Sequence, residues 1–314
     1  MLDTQVTRRR EAAENIIALE LRARDGGTLP AFTAGAHIDV HLPNGMVRQY
    51  SLLNDPAECD RYEIAILKDP NSRGGSVSAH EEAHEGAPLR IGPPRNLFPL
   101  SEDGPALLFA GGIGITPVMC MARQLHREQR PFRMHYCTRN RASTAFHDDL
   151  RTAPFAEGVH FHTDDGCETQ KLCATSALAN PDAQTHIHVC GPPGFITHIL
   201  ETARGQGWRE EQLHSELFGA APVAPGGAFE MHLKRSGLTL QVGPDESPLE
   251  AMQAAGVDVP VSCEQGICGT CITRILEGEP DHRDGCLTKA ERARNDCFTP
   301  CVSRARSGRL VVDL

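Results

Sequence analysis

Aromatic residues are scarce in this 314-residue chain: one Trp, three Tyr and eleven Phe. No single aromatic-rich core can dominate, so aliphatic packing in several regions has to carry the fold. The length predicts two or three domains. A basic surplus is also missing, since 31 Lys and Arg stand against 41 Asp and Glu, a net charge of −10. The charge is spread evenly, with no basic stripe or tail, which excludes the electrostatic footprint of a nucleic-acid binder. The start of the chain, Met1-Leu2-Asp3 followed by Arg8-Arg9-Arg10, has no apolar leader segment. A cytoplasmic setting is therefore expected. One uncharged stretch, 104–122, has the length of a membrane span. It is broken by Gly104, Pro105, Gly111, Gly112, Gly114 and Pro117, punctuation that suits a buried strand, a turn and a helix start. No internal repeat or low-complexity segment is present.

Cysteine is what the sequence does have. Six of its twelve lie between Cys263 and Cys301. A disulfide framework belongs to small secreted domains, so a metal or redox site in a reducing compartment is the simpler expectation. Cys263-x4-Cys268-x2-Cys271 followed after 29 residues by Cys301 is the spacing of plant-type [2Fe–2S] proteins. Two irons need four thiolates, three from a tight loop and one from elsewhere. Gly266 and Gly269 let the loop turn inward so that backbone N–H groups can reach the cluster sulfurs. Structural zinc favours C-x2–4-C pairs repeated twice, and only one close pair exists here. A non-redox zinc protein is the competing class, and a colourless preparation would identify it. Spacing alone leaves Cys286 and Cys297 open as the fourth ligand beside Cys301.

The first hundred residues read as short strands at 15–22, 37–42, 47–52 and 61–68, with a helix at 76–83. Such spacing predicts an antiparallel barrel or sandwich. Arg48-Gln49-Tyr50-Ser51 lies on one of these strands. A Tyr can pack along a flavin ring, a Ser can hydrogen-bond its edge, and an Arg can pair with phosphate. Arg73-Gly74-Gly75-Ser76 opens the helix and forms a candidate phosphate site. A monophosphate there fits FMN better than FAD.

Residues 103–222 alternate strands with helices, which predicts a parallel sheet. The run 107–110 leads into Gly111-Gly112-Ile113-Gly114-Ile115-Thr116-Pro117. This is a strand, glycine turn and helix start without the G-x-G-x-x-G fingerprint. Cys190-Gly191-Pro192 repeats that geometry at a later strand end, where a thiol can pack against nicotinamide. Residues 220–227 read as a linker by composition. Beyond it, strands at 229–234 and 238–242 form a hairpin, and Ser247 with Pro248 starts a helix.

The C-terminal 85 or so residues resemble plant-type ferredoxins, and the match at Cys301-Val302-Ser303 favours Cys301 as the fourth ligand. The order R-x-Y-S, G-G-I-G-I-T-P, C-G-P resembles the ferredoxin–NADP⁺ reductase superfamily. With the ferredoxin tail, the whole chain resembles the phthalate dioxygenase reductase family, to which vanillate O-demethylase reductase components also belong. The resemblance implies an FMN-binding β-barrel over 1–102, an NAD-binding α/β domain over 103–222 and a β-grasp [2Fe–2S] domain over 223–314. It implies Arg48, Tyr50, Ser51, Gly75 and Ser76 around FMN, and Gly112, Thr116 and Cys190 around nicotinamide, with Ser51, Thr116 and Cys190 at the reacting centre. Asp165 is implied at the adenosine ribose and Phe218 beside the flavin. Cys263, Cys268, Cys271 and Cys301 are implied as cluster ligands. NADH is the implied coenzyme, although Arg139 and Arg141 follow the second strand, where a 2′-phosphate could be read. A flavin between a two-electron hydride donor and a one-electron cluster converts one currency into the other. The implied acceptor is a terminal Rieske-type oxygenase, with a cytochrome P450 as the alternative.

Overall fold

Period-two alternation governs the first hundred residues. In the computed structural model, which describes residues 1–69, 74–218, 226–261, 264, 266 and 269–314, they form β1 (Leu2–Ala13), β2 (Ile16–Ala23), β3 (Ala36–His41), β4 (Val47–Ser51), β5 (Tyr62–Leu67), α1 (Gly75–Glu82), β6 (Pro88–Ile91) and β7 (Arg95–Asn96). All the strands pair antiparallel in the order β4-β3-β6-β1-β2-β5, with β7 on β3. The two ends of this order meet just past β4. There the Leu53 N–H donates to the Glu63 carbonyl at 2.9 Å, and the Glu63 N–H donates to Asn54 Oδ1 at 2.9 Å. These bonds close the sheet into a barrel, filled by Ile17, Leu19, Leu21, Ile38, Val40 and Ile64. The 12-residue β1 is not anticipated from the sequence. A register shift between Val6 and Arg8 interrupts its alternation, and three consecutive arginines hide what remains.

Alternation then gives way to a three-layer arrangement. β8 (Ala106–Gly111), α2 (Ile115–Arg127), β9 (Phe132–Thr138), α3 (His147–Thr152), β10 (Val159–Thr163), α4 (Ala174–Ala177), β11 (His186–Gly191), α5 (Pro193–Gly205) and β12 (Leu213–Leu217) follow. Their five strands are all parallel, in the order β10-β9-β8-β11-β12. The chain builds outward from β8 to β10, then returns to the other side of β8 as β11. The order therefore reverses between β8 and β11, the place where open parallel sheets bind ligands at their carboxyl ends.

Barrel and parallel sheet share one core. Leu52 and Leu53 belong to the same buried cluster as Val118 and Met119 of α2. The Cys120 thiol donates to the Asn54 carbonyl at 3.1 Å, and Arg123 donates to the Leu53 carbonyl at 3.0 Å. The end of β4 is thus pinned against α2, and both belong to one compact unit, Met1–Phe218.

The second unit is Gly219–Leu314; most of the expected linker at 220–227 lies outside the described residues. This unit contains β13 (Phe229–Leu233), β14 (Leu238–Val242), α6 (Pro248–Ala254), β15 (Thr273–Glu277), β16 (Pro280–Asp281), α7 (Lys289–Arg294), β17 (Cys297–Phe298), β18 (Arg304–Ala305) and β19 (Arg309–Val312). The main sheet runs β14-β13-β19-β15-β17. β13 and β19 are parallel and the other pairs antiparallel, the β-grasp arrangement. Ser247 caps α6, accepting from the Glu250 N–H at 3.1 Å, with Pro248 at the first helical position. The buried Arg304 guanidinium donates to the carbonyls of Gly243, Gly227 and Glu246, tying the start of this unit to its C-terminal segment. Among the described residues, no helix is long and apolar enough to cross a membrane.

Candidate functional site

β4 and α1 bring the two expected flavin motifs together. Arg48 and Tyr50 share a face of β4. Gly74 has φ of +100° and caps α1, a conformation that favours glycine. A Cβ on Gly75 would lie 3.0 Å from Arg48 Nε, so a cation packs against the first turn of the helix. Ser76 sits inside the helix rather than at its cap. Its Oγ accepts from the Asp69 N–H at 3.1 Å, which leaves the hydroxyl proton free to donate. A guanidinium, a helix N-terminus and a hydroxyl donor make a set that fits a phosphate monoester. Burial pushes the Tyr50 phenol up to about 12, with Arg48 acting the other way, so this ring is a neutral surface. Arg73 lies outside the described residues.

The carboxyl ends of β8 and β11 meet at glycine. A Cβ on Gly114 would run into the Cys190 carbonyl, and one on Gly111 or Gly191 would meet the Phe195 ring at 2.9 Å. Gly112 differs: its φ is +54° and nothing stands within 4 Å of a Cβ position, so its backbone faces open space beside the switch point. Thr116 is buried and donates to the Ile113 carbonyl at 3.2 Å, holding the turn into α2. Asp165 is exposed past the end of β10, its N–H donating to the Arg139 carbonyl at 3.2 Å. Phe218 packs, half-buried, against the shared core.

One residue that the sequence did not single out joins this group. Cys190 of β11 pairs with Glu216 of β12, and Ser51 Oγ lies 3.5 Å from Glu216 Oε2. Ser51 and Glu216 are 165 residues apart, and no spacing motif links them. Burial raises the Glu216 carboxyl to about 8, offset in part by the Ser51 hydrogen bond. At neutral pH it therefore carries a proton. Burial, with Glu216 adding to it, also holds the Cys190 thiol well above its ordinary value. Hydroxyl, thiol and protonated carboxyl thus form an uncharged, proton-bearing cluster at the switch point, able to orient a hydride donor and to hold a proton nearby.

In the second unit, Cys271 and Cys301 are buried, with their Sγ atoms 3.3 Å apart. Two sulfurs that close, not joined to each other as a disulfide, fit ligands converging on one metal centre. Gly266 and Gly269 both take the left-handed conformation, φ +70° and +71°. A side chain at Gly266 would collide with Val302, next to Cys301. The cradle is thus shaped for a cluster held by thiolates. Cys263 and Cys268 lie outside the described residues. Cys297 sits on β17, paired with Arg274 of β15, while Cys286 donates to Asp284 Oδ2 at 3.6 Å.

A flavin-type barrel, a nucleotide switch point and a thiolate cradle on one chain define an iron–sulfur flavin oxidoreductase. A family model for the oxidoreductase NAD-binding domain matches residues 108–201, and one for the 2Fe-2S iron-sulfur cluster binding domain matches residues 231–306. The chain is 52% identical to a vanillate O-demethylase oxidoreductase of Pseudomonas sp. (strain HR199), covering 100% of both chains. It superposes on the solved structure of phthalate dioxygenase reductase with TM-score 0.80 and 38% identity, covering 100% of this chain and 98% of that one. It is also similar to an intact type IV self-sufficient cytochrome P450 monooxygenase, with TM-score 0.80 and 37% identity over 100% of this chain and 41% of that one. The chain belongs to the family of phthalate dioxygenase reductases and vanillate O-demethylase oxidoreductases. It is the reductase component of an oxygenase system, carrying electrons from NADH through FMN and a [2Fe–2S] cluster.

Proposed function

We propose that this reductase serves a terminal Rieske-type oxygenase that demethylates a methoxylated aromatic acid of the vanillate kind. The observation that carries the reading is 52% identity over the full length of a vanillate O-demethylase oxidoreductase. FMN supplies the exchange between two-electron and one-electron chemistry when bound. Arg48, Gly75 and Ser76 hold its phosphate, and Tyr50, Ser51 and Phe218 border its ring. Gly112 lets the nicotinamide approach the backbone, Thr116 braces the turn beneath it, and Cys190 packs against it. Asp165 receives the adenosine ribose. Ser51 and Glu216 would hold a proton beside the bound cofactors, which supply hydride transfer. Cys263, Cys268, Cys271 and Cys301 hold the cluster. Residues 1–102, 103–222 and 223–314 divide these tasks, and the thiolate site suits a reducing cytoplasm. The test is a coupled assay in which the purified reductase and NADH drive a purified Rieske-type vanillate demethylase. Formaldehyde released in step with NADH consumption is expected. Coupling to a cytochrome P450 alone would overturn the proposal in favour of the second reading, which the resemblance to the self-sufficient P450 supports.

A further inference from the structure

A fully buried carboxylate stands beside the cluster cradle, and none of the assigned ligands accounts for it. The Asp284 side chain has no exposed surface. The Leu287 N–H donates to its Oδ2 at 2.8 Å, Ser303 Oγ donates to its Oδ1 at 3.3 Å and the Cys286 thiol points at Oδ2 from 3.6 Å. An Arg292 nitrogen lies 3.7 Å from Oδ2, and His282 Nδ1 lies 3.6 Å from Oδ1. Among the described residues, the groups hydrogen-bonded to its oxygens are donors, and Arg292 brings a cation close. Two contacts fix its position against the cradle. A Cβ on Gly266, in the ligand loop, would lie 3.2 Å from Asp284 Cα, and the next residue, Gly285, donates its N–H to the Gly266 carbonyl at 2.9 Å. On the other side, Ser303 follows Cys301 by two residues. Asp284 therefore touches both segments that bring thiolates together.

We propose that Asp284 is a tuning residue for the iron–sulfur site: its buried negative charge holds the cluster's reduction potential low, and Arg292 is the counter-charge that limits the effect. The inference rests on the family's [2Fe–2S] assignment and is independent of which oxygenase is served. Reduction adds an electron to the site, and a fixed anion away from water opposes that addition with little screening. Arg292 acts in the opposite direction, but its side chain is 37% exposed, so water and salt weaken it. The two charges thus make contributions of opposite sign and unequal size. Closing the turn to Leu287 needs only a side-chain oxygen, which asparagine also has, so the charge is the separable quantity.

The experiment is a reductive titration of the holoprotein followed by electron paramagnetic resonance, with iron content measured alongside. D284N is expected to shift the cluster midpoint upward, and R292Q to shift it downward by less, both at wild-type iron content. The double variant should fall between the two. An unchanged midpoint in D284N, or shifts of the same sign in the two single variants, would overturn the proposal. Should D284N lose its iron, R292Q decides alone, because its site is partly exposed: a downward shift supports the proposal and any other result overturns it. A normal cluster signal with unshifted potentials would sink the tuning role while leaving the family assignment intact.

Discussion

The two redox regions surround an acid in opposite ways. At the switch point of the first unit, Glu216 meets one hydroxyl at 3.5 Å, and burial leaves it protonated at neutral pH. At the thiolate cradle of the second unit, Asp284 is ringed by donors and by Arg292. The difference matches the chemistry. Hydride transfer works beside uncharged, proton-bearing groups that do not repel the arriving negative charge. Single-electron transfer is governed by the cluster's potential, and charge beside the sulfurs is one of the quantities that set it.

That contrast can be broken or sharpened by separating the two sites. The largest effect is expected from Cys301→Ser, which should remove the cluster's visible absorbance and abolish electron delivery to a one-electron protein acceptor such as cytochrome c. Full absorbance and transfer in that variant would move the fourth ligand to Cys286 or Cys297. Ser51→Ala should slow NADH-dependent flavin reduction roughly 10- to 100-fold, by removing a positioned donor. The cluster spectrum should not change, and stopped-flow absorbance measures both.

The raised Glu216 carboxyl gives a pH signature. Glu216 holds its proton below about 8 and loses it above. Flavin reduction by NADH should therefore decline as pH rises through 8, by up to about tenfold per unit, and E216Q should flatten that limb. An identical limb in E216Q would remove Glu216 from the account.

Stability follows a different group. Burial, with His214 and His186 adding to it, lowers the wholly buried His188 from 6.5 to about 3. It stays neutral when folded and takes up a proton when unfolded, so its contribution is complete above pH 6.5 and is lost as pH falls from 6.5 toward 3. The cost is about 1.4 kcal/mol per pH unit within that window. The melting temperature of the first unit should fall between pH 7 and pH 5, and H188N should reduce the slope. The smallest effect concerns the second unit alone: Ser247→Ala removes the α6 cap and should cost about 1 kcal/mol, read by denaturant melting of the holoprotein, with the cluster potential unmoved.

How far each region was legible follows from how it is built. The cluster site needs one residue type at short spacing, and Cys263-x4-Cys268-x2-Cys271 announces it. The β-grasp hairpin and the Ser247-Pro248 helix start were equally readable, because they depend on neighbouring residues. The R-x-Y-S strand and the glycine turns at the helix starts were legible as local structure, because they are contiguous. Glu216 was not, because only the placement of β12 beside β11 brings it to Ser51 and Cys190. Its sequence signal is faint: an acidic residue within the strand-like His214-Ser-Glu-Leu-Phe218. Asp284 was missed for the same reason, since the cradle folds around it from both sides. β1 escaped because a register shift breaks its period. Side chains that act through sequence neighbours can be read early, whereas those that act across strands need the fold.

The separation of the two sites is tested most directly by one anaerobic stopped-flow experiment. NADH is mixed with the C301S protein, flavin bleaching is timed, and reduction of added cytochrome c is followed in the same shots. The account predicts flavin bleaching at the wild-type rate with cytochrome c reduction lost. Flavin reduction slowed in parallel with cytochrome c reduction would contradict it.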